Sequence, residues 1–242
     1  MTGKLYVVGI GPGDPELMTL KAARILKEVP CIFVPKGREE GSSLALSIVQ
    51  KMLPLDTKEI VEAYFPMMKT RGQGKDVSEN ELETKWDQTV DAVLDRMNKG
   101  VDAAFITIGD PGIYSTFFYL YDKLLERAPS LAIEIVPGIS SINAAAARAG
   151  LYLGLGNERI AILPANYLDS LEETLEKFDT VVLMKVSKVF TTVRDMLHRT
   201  NRTAQATYVV RAGMADERVY RNIDQVREEE LNYFSLMIVR KG

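Results

Sequence analysis

Val8-Gly-Ile-Gly-Pro-Gly-Asp-Pro-Glu16 decides how the rest of the chain is read. It follows the apolar run Leu5–Ile10. It precedes a segment in which Met18, Ala22, Ile25 and Leu26 fall on one helical face. It is therefore a strand-to-helix junction. Gly9 and Gly11 match the first two glycines of a G-x-G-x-x-G dinucleotide loop, but Asp14 stands where the third belongs. Pro12 removes an amide donor where a phosphate would need one. No Gly-Lys-Ser/Thr follows, so the Walker pattern fails as well. Asp14 as N-cap, Pro15 at the first helical position and Glu16 near the positive helix end explain the start of a helix. They do not explain the glycines and proline crowded before the cap, which suit a loop that a ligand approaches closely.

Further junctions are built alike. Ile106-Thr-Ile-Gly-Asp-Pro-Gly-Ile-Tyr-Ser-Thr116 repeats Gly-Asp-Pro after an apolar run, and Val136-Pro-Gly-Ile-Ser-Ser141 leads into Asn143 and Ala144–Ala147. Taken singly, each reads as a turn with a capping hydroxyl, Ser115 or Thr116 in one and Ser140 or Ser141 in the other. A sharper reading makes Asp110 a carboxylate facing a cationic ligand group. Taken together, all lie beyond strand carboxyl ends, where open α/β sheets bind ligands. Backbone groups, a few hydroxyls and a carboxylate suit a small, polar, mixed-charge molecule better than a triphosphate.

Outward from these loops, strand-length apolar runs recur at Cys31–Val34, Ala103–Ile108, Ile133–Val136, Ile160–Leu163, Thr180–Met184, Ala206–Val210 and Phe234–Val239. Most are continuous, as in strands buried on both faces. Helical patterns lie between them, among them Leu82–Met97 and Ser187–Leu197. The alternation predicts an α/β protein with largely parallel sheets. The polar break Glu126-Arg-Ala-Pro-Ser130 suggests two α/β domains, 1–124 and 125–242.

Composition narrows the chemistry. The 242 residues include 30 Lys plus Arg, 33 Asp plus Glu, one His and one Cys, for a net charge of −3. Cys31 alone forms no intrachain disulfide, and a buried apolar run is its natural setting. His198 alone excludes a multi-histidine metal site, so no protein-bound metal is expected. It reads as a surface residue at a polar helix end, with ligation of a substrate metal as the alternative. Slight acidity argues against a nucleic-acid surface, and no apolar run approaches a membrane span. With no signal-peptide pattern at the N-terminus, a cytoplasmic protein is expected.

The junctions in this order resemble those of the tetrapyrrole (uroporphyrinogen III and corrin) methyltransferase family. That family has a Gly-x-Gly-Pro-Gly-Asp loop, a Gly-Asp-Pro loop and a Val-Pro-Gly-x-Ser/Thr-Ser/Ala loop. Tyr64-Phe-Pro-Met67, Thr107–Pro111 with Tyr114-Ser-Thr116, Ala144–Gly150, Val181–Val186 and Arg211-Ala-Gly-Met214 with Glu217-Arg-Val219 are most similar to the branch that methylates carbon 20 of precorrin-2 or cobalt-factor II, in cobalamin biosynthesis. The resemblance implies two α/β domains of this type, not the Rossmann-like methyltransferase fold. S-adenosylmethionine (SAM) would lie in the cleft between a tetrapyrrole-side N-terminal domain and an adenine-side C-terminal one. It also implies a homodimer. Carried over by motif, Pro12 lies beside the cofactor, and Gly109, Asp110, Ile113 and Tyr114 surround its methionine part. Ser140 and Ser141 join from the third loop, while Met184, Ala212, Gly213 and Met237 lie near the adenine.

One position departs from the pattern. Uroporphyrinogen III methyltransferases carry an acidic residue after their second strand, where this chain has Pro35 followed by Lys36. No general base is assigned; Tyr64, Glu62 and Lys36 are the candidates. Lys69, Arg71 and Lys75, in a loop with no acid between Met67 and Asp76, are the candidates for meeting substrate carboxylates. Another corrin-pathway intermediate, a protein acceptor as in diphthine synthase, or a binding module without turnover are the competing readings. Whether the substrate is metal-free or holds cobalt is left open by these motifs.

Overall fold

The structure is a computed structural model that describes residues 2–37, 43–65, 79–165 and 170–241. The chain divides into two compact units, Met1–Ser140 and Ser141–Gly242. The first contains β1 (Leu5–Gly9), α1 (Leu20–Glu28), β2 (Cys31–Lys36), α2 (Leu44–Gln50), β3 (Glu59–Tyr64), α3 (Glu79–Asn98), β4 (Ala103–Thr107), α4 (Phe118–Arg127) and β5 (Ile133–Val136). Its strands run in the order β3-β2-β4-β1-β5, and every pairing is parallel. Every residue of β4 is buried, because helices cover both faces of the sheet. Val8, Ile32, Val34 and Ile106 pack with α1 and α2 on one face. Val7, Phe33 and Phe105 pack with α3 and α4 on the other. Cys31 belongs to this core, and burial pushes its thiol up to about 12.

The second unit contains α5 (Ser141–Ala149), β6 (Ile160–Pro164), α6 (Leu171–Lys177), β7 (Thr180–Met184), α7 (Phe190–Arg199), β8 (Ala206–Val210), β9 (Arg218–Tyr220) and β10 (Ser235–Arg240). The sheet order is β6-β7-β10-β8-β9. Among its described residues only β6 and β7 pair in parallel; β10 is antiparallel to both its neighbours, as β9 is to β8. The expectation of largely parallel sheets therefore holds for the first unit and not for the second. Continuous apolar runs report burial on both faces, which β8 and β10 have, and not strand direction.

Other details differ from the sequence reading. β5 lies beyond the division placed at 124/125 and pairs with β1 inside the first unit. Asp14 does cap, but its carboxylate accepts from Glu16 N over a 3-10 turn, Pro15–Leu17. Thr19 caps α1 itself.

Candidate functional site

In the first unit, parallel strands deliver three loops to one edge of the sheet. The backbones of two are joined directly: Gly109 N donates to Gly11 O at 2.8 Å, and Ile10 N donates to Thr107 O at 3.0 Å. The third is held by Asp110, whose Oδ2 accepts from Gly138 N at 2.9 Å while Oδ1 accepts from Gly112 N at 2.7 Å. A Cβ on Gly9 would sit 2.7 Å from both Gly109 O and Gly138 N, and one on Gly138 would sit 2.2 Å from Gly109 O. Only glycine permits this stack of Gly9, Gly109 and Gly138. The glycines read as ligand-approach residues thus serve first to bring the loops into contact with each other.

Asp110 is likewise a bracing residue, with each oxygen already engaged by an amide. Beyond it, Tyr114 adopts a positive φ of 55° and is 46% exposed. That conformation is uncommon for a bulky residue and presents the turn outward. Partial burial raises its hydroxyl above the usual range. A Cβ on exposed Gly112 would meet only the Asp110 carboxylate, so the backbone here is open to close approach. Ile113 is half-buried, while Pro12 and Ser140 are buried. Ser115 Oγ donates to Thr107 Oγ1 at 3.2 Å and accepts from Phe117 N, which fixes the turn to its own strand.

In the second unit, β7 and β8 run the same way because β10 is antiparallel to both. Met184 and the Ala212-Gly213 turn therefore come to one edge, two strand spacings or about 10 Å apart. The turn is rigidly built. Arg211 and Gly213 both have positive φ, Arg211 pairs with Asp216 at 2.5 Å, and Glu217 accepts from Gly213 N at 2.6 Å. Glu217 also meets Arg148 of α5 at 3.2 Å. Ser141 is the first residue of α5. Met237 has no surface to offer: mid-strand in β10, paired with Leu183 and Tyr208, it is wholly buried in the core.

The proton-transfer candidates converge in the first unit. Lys36, Glu62 and Tyr64 line a cavity of about 300 Å³ with Val61 and with Lys85, Gln88, Thr89 and Ala92 of α3. Lys36 Nζ meets Glu62 Oε2 at 2.9 Å, and Lys85 Nζ lies 5.6 Å from the centre of the Tyr64 ring. Sequence reasoning passed over Lys85, Gln88 and Thr89, although i, i+3, i+4 spacing places them on one helix face. Lys69, Arg71 and Lys75 lie outside the described residues. His198 sits at the exposed end of α7, 2.7 Å from Asp224. Among the described residues no cluster of His, Cys, Asp and Glu is arranged to hold a metal ion, and no helix is long and apolar enough to cross a membrane.

Comparison with known proteins bears on these loops. The family model "Tetrapyrrole (Corrin/Porphyrin) Methylases" matches residues 4–226. A probable cobalt-precorrin-2 C(20)-methyltransferase of Methanocaldococcus jannaschii is 36% identical, over 98% of this chain and 96% of that protein. The cobalt-precorrin-2 C(20)-methyltransferase of Salmonella typhimurium is 33% identical over 100% of this chain and 98% of its own length. Among solved structures, the uroporphyrin-III C-methyltransferase of Thermus thermophilus, complexed with S-adenosylhomocysteine, superposes with a TM-score of 0.66 at 23% identity. That match covers 99% of this chain and 98% of the other.

Proposed function

The chain belongs to the tetrapyrrole (corrin/porphyrin) methylase family, and from that premise we propose that it transfers a methyl group from SAM to carbon 20 of precorrin-2 or its cobalt-loaded counterpart, in cobalamin biosynthesis. The observation that carries this is the extent of the likeness. Identity of 36% and 33% runs over nearly the whole length of this chain and of both C(20)-methyltransferases.

The residues fit such a cofactor. The Gly109–Tyr114 loop offers open backbone at Gly112, and Ala212 and Gly213 make a small, fixed turn. The first supports our placing of the methionine part, with Pro12, Ser140 and Ser141 nearby. The second, with Met184, supports our placing of the adenine. On this reading the first unit faces the tetrapyrrole and the second faces the adenine.

When bound, SAM supplies an electrophilic methyl carbon on a sulfonium. The meso carbon's electron pair forms the new bond as the sulfur–carbon bond breaks, and a neutral thioether leaves. No acid is needed to expel that group. What the chain must do is hold the partners in line, an effect worth up to ~7–11 kcal/mol in well-oriented cases. A proton then leaves the methylated carbon, and Tyr64, Glu62 and Lys36 remain the groups of this chain proposed to accept it.

Incubation with labelled SAM and metal-free or cobalt-loaded substrate tests the reading. One methyl gained at carbon 20 is expected. Label entering only protein, or SAM binding without turnover, overturns it. We further propose a cytoplasmic homodimer. Ile160 and Ile162 on the edge strand β6, with Tyr152 and Leu155, are exposed apolar surface that a second copy would cover. A monomer mass by light scattering removes that part.

A further inference from the structure

The Ala212-Gly213 turn is not held by its own backbone preferences. Arg211 and Gly213 lie in the left-handed region, at φ of 53° and 76°. Arg211 carries a side chain, which disfavours that conformation. Contacts from outside the turn must therefore fix it, and they are unequal. The Arg211–Asp216 pair is open to water, with the Asp216 side chain 62% exposed, and such pairs contribute little. Glu217 is placed differently. Its side chain is only 16% exposed, and each carboxylate oxygen is engaged. Oε2 accepts from Gly213 N at 2.6 Å, and Oε1 lies 3.2 Å from Arg148 Nε. A hydrogen bond from a backbone amide to an ionised carboxylate is among the strong ones.

Arg148 makes this contact a link between elements. It stands on α5, about 10 Å along the helix from Ser141 at its start. α5 packs against β8 and β10. Just after β9, Arg221 Nη2 donates to Ala149 O at 2.9 Å. The hairpin of β8 and β9 is thus tied to the end of α5 at two points. We infer that Glu217 is a positioning residue: it fixes the Ala212-Gly213 turn to α5 in the shape that receives the adenine, and Arg148 aims its carboxylate. This rests on the proposed placing of the adenine at that turn. Glu217 acts through the backbone of the turn and not on the reacting atoms, so it governs cofactor binding and not the chemical step.

The test compares wild type with Glu217→Ala, Glu217→Gln, Arg148→Gln and the double variant of Arg148→Gln with Glu217→Ala. Circular dichroism checks that each is folded at the assay temperature. Calorimetric titration uses S-adenosylhomocysteine and 5′-methylthioadenosine, which lacks the amino-acid part. Losing the bond that holds the turn weakens both ligands about tenfold in Glu217→Ala. Glu217→Gln keeps an oxygen for Gly213 N and recovers part of the loss. Arg148→Gln weakens both ligands by itself and adds nothing to Glu217→Ala, because it acts through the same carboxylate. In turnover the SAM KM of Glu217→Ala rises and kcat is unchanged. Glu217→Ala affinities within about twofold of wild type overturn the inference, even where the variant melts earlier. So does a loss for S-adenosylhomocysteine without one for 5′-methylthioadenosine. The Arg148 side chain is 54% exposed, so its variant leaves the core intact and decides the matter if Glu217→Ala does not fold. An unchanged affinity in Arg148→Gln overturns the inference. If the wild type binds neither ligand, the cofactor reading itself fails and the inference falls with it.

Discussion

At the scale of single residues, the glycines and Asp110 show what spacing reveals and what it hides. That Gly9, Gly109 and Gly138 mark loops at strand ends was legible from the local pattern. That a Cβ on one would strike the backbone of another was not, because the partners are between 29 and 129 residues apart in the chain. Asp110 was read as a carboxylate facing a cationic ligand; in the structure it accepts from Gly112 N and from Gly138 N, 28 residues away, a bracing role that spacing alone did not reveal. Its substitution therefore tests the bracing role. Asp110→Ala is expected to lose about 1.5–3 kcal/mol, the cost of removing charge-assisted hydrogen bonds. Asp110→Asn is expected to do no better, because its NH2 would face one of two backbone donors. Urea denaturation measures the stability, and S-adenosylhomocysteine titration measures the site. Full stability in Asp110→Asn would show that one of these contacts contributes nothing.

At the scale of elements, reading failed at the sheet edges. β3 carries Glu59 and Glu62 on an exposed edge strand, so its composition does not mark it as a strand. β9 is three residues long at the edge of the other sheet. Central strands were found because burial on both faces leaves a continuous apolar run, yet that signal is blind to direction, so the expectation of largely parallel sheets missed that β10 is antiparallel to β7 and β8. The edge strand β5 is secured differently. Its Glu134 lies between Lys21 of α1 and Lys4 ahead of β1, and these ammonium groups hold its carboxyl down to about 2, from an ordinary value of 4.5. A carboxylate with a lowered folded-state value stabilises above its unfolded value and loses that contribution as pH falls. Glu134→Gln is therefore expected to have a lower urea midpoint than wild type at neutral pH. That gap should close as pH falls from 4.5 to about 2. A gap that persists unchanged at the acid end would rule out this ion cluster as its source.

At the scale of the whole molecule, the sequence suggested two α/β domains from a polar break, and the contacts of β5 place the change of unit at Ser140/Ser141. The break was visible because it is polar; the pairing of β5 with β1 was not, because it is made by chain far away. Each unit brings its own loops to one edge of its own sheet, Gly109–Tyr114 in the first and Met184 with Ala212-Gly213 in the second. On the proposed function each of these sets of loops meets part of SAM. A ligand bound at 100 times its Kd stabilises the form that binds it by about 2.7 kcal/mol. If both sets of loops bind the ligand, that stabilisation reaches both. Hydrogen exchange with and without S-adenosylhomocysteine then has a definite expected outcome. Amides of Gly109–Tyr114 and of Arg211–Gly213 should gain protection together and at the same ligand concentration. Protection confined to the first set would mean that the second unit does not face the cofactor, and the placing of the adenine at Met184 and Ala212-Gly213 would fall while the methyltransferase reading stood.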